Sequence, residues 1–130
     1  MTYEWRDHTA EVELVIRAES PEGVFREAAD AFARFVELDP AGEPATHVLE
    51  LEGGDHATLL VALLEELIYL ADTEGFVADD STVTLSGNQM RVDLTGRRTN
   101  VQPIVKAATY HALAFEQADG AWEARVILDV

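Results

Sequence analysis

Cysteine is absent from this chain of 130 residues, and lysine occurs only once. The absence of cysteine excludes disulfides, thiolate metal sites and cysteine nucleophiles. No apolar run approaches the roughly 20 residues that a membrane span needs. The start MTYEWRDHTAEV also lacks the charged-then-apolar pattern of a signal peptide. We therefore expect a cytoplasmic protein without a membrane-spanning segment.

Several catalytic motifs are also missing. The sequence contains no glycine-rich phosphate loop, no Gly-x-Ser-x-Gly elbow and no pair of histidines at helical spacing. Its histidines fall in different predicted elements, which argues against a His-rich zinc site: His8, His47, His56 and His111. A self-contained enzyme is therefore disfavoured.

Acidic residues are in large excess. The chain has 25 acidic and nine basic residues, for a formal net charge of -16. The negative electrostatic potential of such a surface repels phosphate backbones, so direct nucleic-acid binding is not expected. Apart from the single lysine, the basic residues are all arginine. Abundant acid with almost no lysine resembles the proteomes of salt-adapted organisms, but an acidic surface also suits a basic protein partner. Both interpretations stay open.

Capping residues and apolar spacing predict two helices. Ser20 as the N-cap, with Pro21 at the first helical position, predicts a helix over residues 21–36. Asp55 predicts the start of a second helix, HATLLVALLEELIYLAD, which is apolar on most of its faces. Both helices are expected to bury their apolar faces against a sheet.

The other apolar segments are predicted strands, and we expect one domain over residues 1–130 because no long linker interrupts them. The strands are VELVIRA, HVLELEG, FVADD, STVTLSG, QMRVDLTG, IVKAATYHALAFEQ and AWEARVILDV. The dipeptides Gly87-Asn88 and Asp119-Gly120 predict hairpin turns. The order of elements predicts an α+β fold. We expect a two-layer sandwich with a largely antiparallel, mixed sheet and two helices packed on it.

Three charged residues are candidate site residues from local context alone. Lys106 lies between Val105 and Ala107 in an apolar segment, where its ammonium group needs solvent or a counter-charge. It is either an edge-strand lysine that blocks further pairing or a cation placed to meet phosphate or carboxylate. Asp72, at the end of the second predicted helix, and Glu74, just after it, are candidate ligands or partner contacts, or simply solvated loop residues.

Four separated stretches together resemble the archease family: DHTAEVELVIRAES, LLEELIYLADTEG, VKAATYHALAF and ARVILDV. The resemblance covers nearly the whole chain in the same order. It implies an accessory protein for the RtcB-type tRNA-splicing RNA ligase. That ligase joins a 3'-phosphate or cyclic-phosphate end to a 5'-hydroxyl through a guanylylated histidine of its own. Archeases are expected to promote this guanylylation, to sustain multiple turnover and to widen nucleotide use.

The resemblance also implies the site residues. The family's His-Thr-Ala-Asp stretch matches residues 8–10, with Glu11 in place of the aspartate. Its Lys-Ala-x-Thr-Tyr stretch begins at Lys106, and its penultimate aspartate matches Asp129. In the family the two acids and the terminal carboxylate, here that of Val130, form a divalent-cation site. The lysine is one of the functional residues.

The ending RVILDV makes this cation site physically reasonable. If the first and last strands pair, Glu11, Asp129 and the carboxylate of Val130 converge and repel one another. A hard divalent cation, Ca, Mg or Mn, would relieve the repulsion, whereas zinc fits less well without His or Cys. The alternative is an acidic, solvated strand end that has frayed.

Three functions stay open at this point. The resemblance favours a non-enzymatic activator of the ligase that carries a divalent cation. The same carboxylates could instead serve a metal-dependent hydrolase, which would need a convergent polar pocket and a nearby general base. A chaperone-like partner of an RNA-modifying enzyme is the third alternative.

Overall fold

The computed structural model describes residues 2–8 and 10–130, and over this part the element order extends the predicted one by a first strand. The elements are β1 Thr2–His8, β2 Glu11–Ala18, α1 Pro21–Val36, β3 Glu43–Glu52, α2 His56–Glu74, β4 Phe76–Ser86, β5 Gln89–Arg98, β6 Ala107–Ala118 and β7 Ala121–Asp129. None of the described helices is long and apolar enough to span a membrane.

Both helices begin at the predicted capping residues. The hydroxyl of Ser20 accepts the N–H of Gly23 at 3.1 Å, so α1 starts at its proline as predicted. The carboxylate of Asp55 accepts the N–H of Thr58 at 2.8 Å and starts α2. This hydrogen bond to the charged carboxylate holds the pKa of Asp55 below its usual value. Local capping therefore fixes where each helix begins.

The end of α2 corrects one prediction. Asp72 and Glu74 lie in the last turn of the helix rather than in a loop after it, and Gly75 ends the helix with a φ of 67°. A left-handed residue of this kind allows the last helical carbonyls to find partners, and glycine adopts it at little cost. Glu74 accepts hydrogen bonds from His47, at 3.1 Å, and from Arg98, at 3.3 Å. This side chain therefore ties α2 to β3 and β5.

The strands differ from prediction in three places. The strand β1 was not predicted, because the polar residues in TYEWRDH hide its apolar positions Tyr3 and Trp5. The strand β4 is continuous where two strands were predicted, with a register shift between Ala78 and Asp80. Lys106 was predicted inside a strand, but it is exposed and immediately precedes β6. Pairing begins only at the next residue because β7 ends there.

The predicted α+β class is confirmed, but the described strands form two sheets rather than one. One sheet has the order β1-β2-β7-β6 and the other has the order β3-β5-β4. Every ladder between the described strands is antiparallel, so the predicted mixed character is absent from this part of the chain. The two predicted hairpin turns are confirmed, since one joins β4 to β5 and the other joins β6 to β7.

A single hydrophobic core joins the two sheets through the helices. The helix α1 contacts β1, β2, β4 and β7, and α2 contacts β3, β4 and β6. The core includes Leu14, Phe25, Leu64, Leu94 and Val126, all of which are almost fully buried. Each sheet thus buries one face against the helices.

We predict that Gly96→Ala is strongly destabilising. An added Cβ at this position of β5 would lie 1.9 Å from the carbonyl oxygen of Val77 on the paired strand β4. Because that oxygen belongs to the backbone, the clash can be relieved only if the strands separate. We expect the free energy of unfolding to fall by about 1–3 kcal/mol or more. Gly54→Ala is the matched control, since nothing lies within 4 Å of its added Cβ. Denaturant unfolding should show a change below about 0.5 kcal/mol for the control. Equal stability of the two variants would contradict the close approach of β4 and β5.

Candidate functional site

The pairing of β2 with β7 brings the two candidate acids together. Glu11, the first residue of β2, lies directly opposite Asp129, the last residue of β7. The N–H of Val130 then donates to the carbonyl oxygen of Ala10 at 3.3 Å. Val130 is half-buried and packs against the core. The end of the chain is therefore held in the sheet, which contradicts the frayed alternative.

Lys106 lies beside the same strand end. Its backbone N–H donates to the carbonyl oxygen of Asp129 at 2.8 Å, and the next residue, Ala107, pairs with Asp129 from the other side of β7. The Lys106 side chain is exposed. The backbones of Glu11, Asp129 and Lys106 thus meet at one end of the four-stranded sheet.

The two acids project from the outer face of this sheet. Their neighbours Val12 and Leu128 pack on the core, and successive side chains in a strand point to opposite faces. Directly opposite residues have Cβ atoms about 4.5–5.5 Å apart, so two carboxylates in this arrangement repel. No ion pair joins Glu11 or Asp129 to a cationic side chain within the part that the structure describes. Their oxygens are the donor type that hard divalent cations prefer.

A cation here would depend on the chain terminus. Among the described residues, no group of three or more histidine, aspartate or glutamate side chains is placed to hold a metal ion. The terminal carboxylate of Val130, the third donor that the family resemblance implies, follows Asp129 directly in the chain. The residue set therefore fits a cation held by two side chains and the terminus, with water completing the coordination.

Sequence reasoning missed two residues near these acids. Glu13 projects from the same face as Glu11, is only 9% exposed, and lies 3.6 Å from the guanidinium of Arg6. Its spacing of two from Glu11 was the available signal, since alternate residues share a face. Thr109 of β6 pairs with Ile127, next to the acidic row, and its hydroxyl is buried without a hydrogen-bond partner. Nothing in the local sequence indicates that burial.

Other candidates lie elsewhere or outside the described residues. Thr9 is not among them, nor is the side chain of His8. Glu74 is engaged by the three-stranded sheet, and Asp72 is exposed on α2. Four surface cavities of about 240–440 Å³ are described, and none is lined by Glu11, Asp129 or Lys106. The two acids are half-buried at the end of the sheet and lie outside these cavities.

The model of the archease protein family matches residues 3–130 of this chain. The chain belongs to the archease family. It is 34% identical to the protein archease of Methanopyrus kandleri over 141 aligned positions that cover all of both proteins. It is also 32% identical to the protein archease of Archaeoglobus fulgidus, again with full coverage of both. Neither relationship depends on a single motif, since the alignments span the whole chain.

Solved archease structures share the fold. Protein 1598 of Methanobacterium thermoautotrophicum has a TM-score of 0.78 and 27% identity, and the match covers 98% of each chain. A protein of Thermotoga maritima described as an archease and possible chaperone has a TM-score of 0.69 and 21% identity, over 100% of this chain and 98% of its own. The two-sheet arrangement found here is therefore an archease fold.

We predict that Glu11→Gln stabilises this archease in the presence of a chelator at low salt. The change removes one of two opposing like charges, so we expect the free energy of unfolding to rise by about 0.2–1 kcal/mol. This gain should shrink as salt screens the pair. Glu52→Gln is the matched control, because Glu52 also lies in a strand but opposes the neutral Gln89. Denaturant unfolding at two salt concentrations measures both. An equal gain in the control would mean that only the net charge matters, and not the pairing with Asp129.

Proposed function

We propose that this archease is a non-enzymatic activator of an RtcB-type RNA ligase and that it acts through a divalent cation held by Glu11, Asp129 and the terminal carboxylate of Val130. The observation that carries the proposal is the antiparallel register of β2 and β7, which sets Glu11 opposite Asp129. The backbone N–H of Lys106 donates a hydrogen bond to the carbonyl oxygen of Asp129. The chain belongs to the archease family, and the resemblance to that family is what implies the ligase as the partner.

Each of the three proposed donor residues has its own structural support. Glu11 and Asp129 supply carboxylate oxygens from two paired strands, which holds their backbones at a fixed separation. The hydrogen bond from Val130 to Ala10 fixes the backbone that carries the third carboxylate. When bound, a divalent cation offsets negative charge on phosphate oxygens. The sheet thus presents these half-buried donors on its outer face, at the end where β2 begins and β7 ends.

Lys106 supplies a mobile positive charge next to this acidic group. Its backbone is fixed by the bond to Asp129, while its side chain is exposed. A lysine ammonium is a flexible point charge that meets phosphate or carboxylate without demanding one geometry. We assign it to contact either a nucleotide phosphate or an acidic group of the ligase. A chain with net charge -16 needs such a local cation for either contact.

The two alternatives have less support. A metal-dependent hydrolase needs a pocket that gathers substrate, metal and general base, whereas the described cavities do not include these acids. A chaperone-like role has the description of the Thermotoga maritima relative in its favour. That role would use the same end of the sheet, but it gives no reason for two opposed carboxylates there.

A ligation assay tests the proposal. RNA ends bearing a 3'-phosphate and a 5'-hydroxyl are incubated with limiting cognate ligase and GTP while this protein is titrated. We predict a rise in the number of turnovers per ligase, and no ligation, nucleotide hydrolysis or RNA binding by this protein alone. An unchanged turnover number would contradict the activator, and hydrolysis by this protein alone would favour the second function.

The same assay tests the role of the terminus. Extending the chain beyond Val130 converts the terminal carboxylate into a peptide bond, so activation should be lost while the thermal unfolding temperature stays near that of the native protein. An extension before Met1 is the control and should preserve activation. Full activation by the C-terminally extended protein would mean that the terminal carboxylate is not a ligand.

A further inference from the structure

Two tyrosines are unusually exposed on neighbouring elements. Among the described residues, the large hydrophobic side chains with high exposure are Leu38, Val48, Tyr69 and Tyr110. Tyr69 of α2 is 61% exposed, and Tyr110 of β6 is 66% exposed. The helix and the strand touch each other. The two tyrosines therefore lie on the two elements that meet along the α2–β6 seam, whereas Leu38 and Val48 lie on other parts of the chain.

Two contacts fix how the helix runs along the strand. The carboxylate of Glu65 accepts the backbone N–H of Ala108 at 3.0 Å. Nearer the start of α2, the His56 ring lies 5.1 Å from the Phe115 ring. Residue numbers rise along α2 as they fall along β6, so the two elements run antiparallel. Tyr69, one turn beyond Glu65, then lies toward the start of β6, where the acidic site is. Tyr110 lies on the other side of the Glu65 contact.

The free edge of β6 is unsuited to adding another strand. This strand is at the end of its sheet, where an uncovered edge commonly pairs with another chain. Glu65 occupies one of its N–H groups, and pairing with β7 is interrupted between Thr109 and Ala114. Ala112, inside the interruption, has a φ of 54°. A partner would therefore meet side chains at this edge and not a regular ladder.

The acidic residues along the seam indicate which kind of partner would bind there. Glu65, Tyr69 and Asp72 follow one another at spacings of four and three along α2, and all three are exposed. A second copy of this chain would bring another net charge of -16 against these acids, which is unfavourable. A basic protein surface is complementary. Tyrosine is also among the residues that contribute most to binding energy at protein interfaces.

We propose that Glu65, Tyr69, Asp72 and Tyr110 form a docking surface, the tyrosine strip, for a partner protein with a basic surface. The inference rests on the proposed function, because it takes the ligase to be the partner. It adds the face that the partner contacts. Docking along the seam brings the partner up to Lys106 and the end of β7, because Tyr69 lies toward that end. Binding on the strip and activation at the strand end are then separate tasks.

Tyr69→Ser with Tyr110→Ser tests the strip. In the ligation assay, the protein concentration that gives half-maximal activation should rise about tenfold or more, while the activation at saturation stays at the native value. Leu38→Ser with Val48→Ser is the matched control, because it removes exposed apolar side chains outside the seam and should leave both values unchanged. Direct calorimetric binding to the ligase should show the same loss of affinity, and native binding should weaken as salt is raised.

Three outcomes would overturn the inference. The first is native half-saturation by the tyrosine variant, and the second is equal weakening by the control. The third is self-association of the native protein in sedimentation that the tyrosine variant abolishes, since the strip would then bind a second copy. Failure of the native protein to raise turnover would count against the proposed function instead, and the calorimetric comparison would still decide whether the strip binds the ligase.

Discussion

The pairing of β2 with β7 is the constraint on which the rest of this archease depends. It joins a segment near the start of the chain to the last one, in the middle of the four-stranded sheet. Leu14 opposite Val126 sets the register on the core side, since a slip of one residue would turn the apolar side chains of the slipped strand away from the core. The same register places Glu11 opposite Asp129. Hydrophobic burial thus enforces the closeness of two carboxylates that would otherwise separate.

That arrangement connects stability with function. The core holds two like charges together, and this costs free energy unless a cation or a partner offsets it. Such a cost is expected where a protein keeps a site ready for a ligand, because the fold and not the ligand must position the donors. The neighbouring strand β6 adds Lys106 on one side, and α2 adds the tyrosine strip along the free edge. The four-stranded sheet therefore unites the candidate cation site, the lysine and the docking surface.

Much of the local structure could be predicted from the sequence, but the division into sheets could not. Ser20 and Asp55 predict where the helices begin, because a capping side chain bonds a backbone N–H only three residues away. Gly87 and Asp119 predict the hairpins, because a tight turn also depends on adjacent residues. The opposition of Glu11 and Asp129 was expected only on the supposition that the first and last strands pair. The hydrogen bond from the N–H of Ala108 to Glu65 and the burial of Thr109 were missed, because they depend on how distant elements pack.

Localised binding of Mn²⁺ is the most direct test of the central claim that the β2–β7 register builds a cation site. Paramagnetic broadening of assigned amide signals should appear first, at substoichiometric Mn²⁺, at Glu11, Lys106 and Asp129. The groove lined by Glu27, Asp30 and Asp80 is the internal comparison, since it offers carboxylates without the terminal one. Sharp signals in that groove are predicted while the strand end broadens. Earlier or equal broadening in the groove would contradict the account.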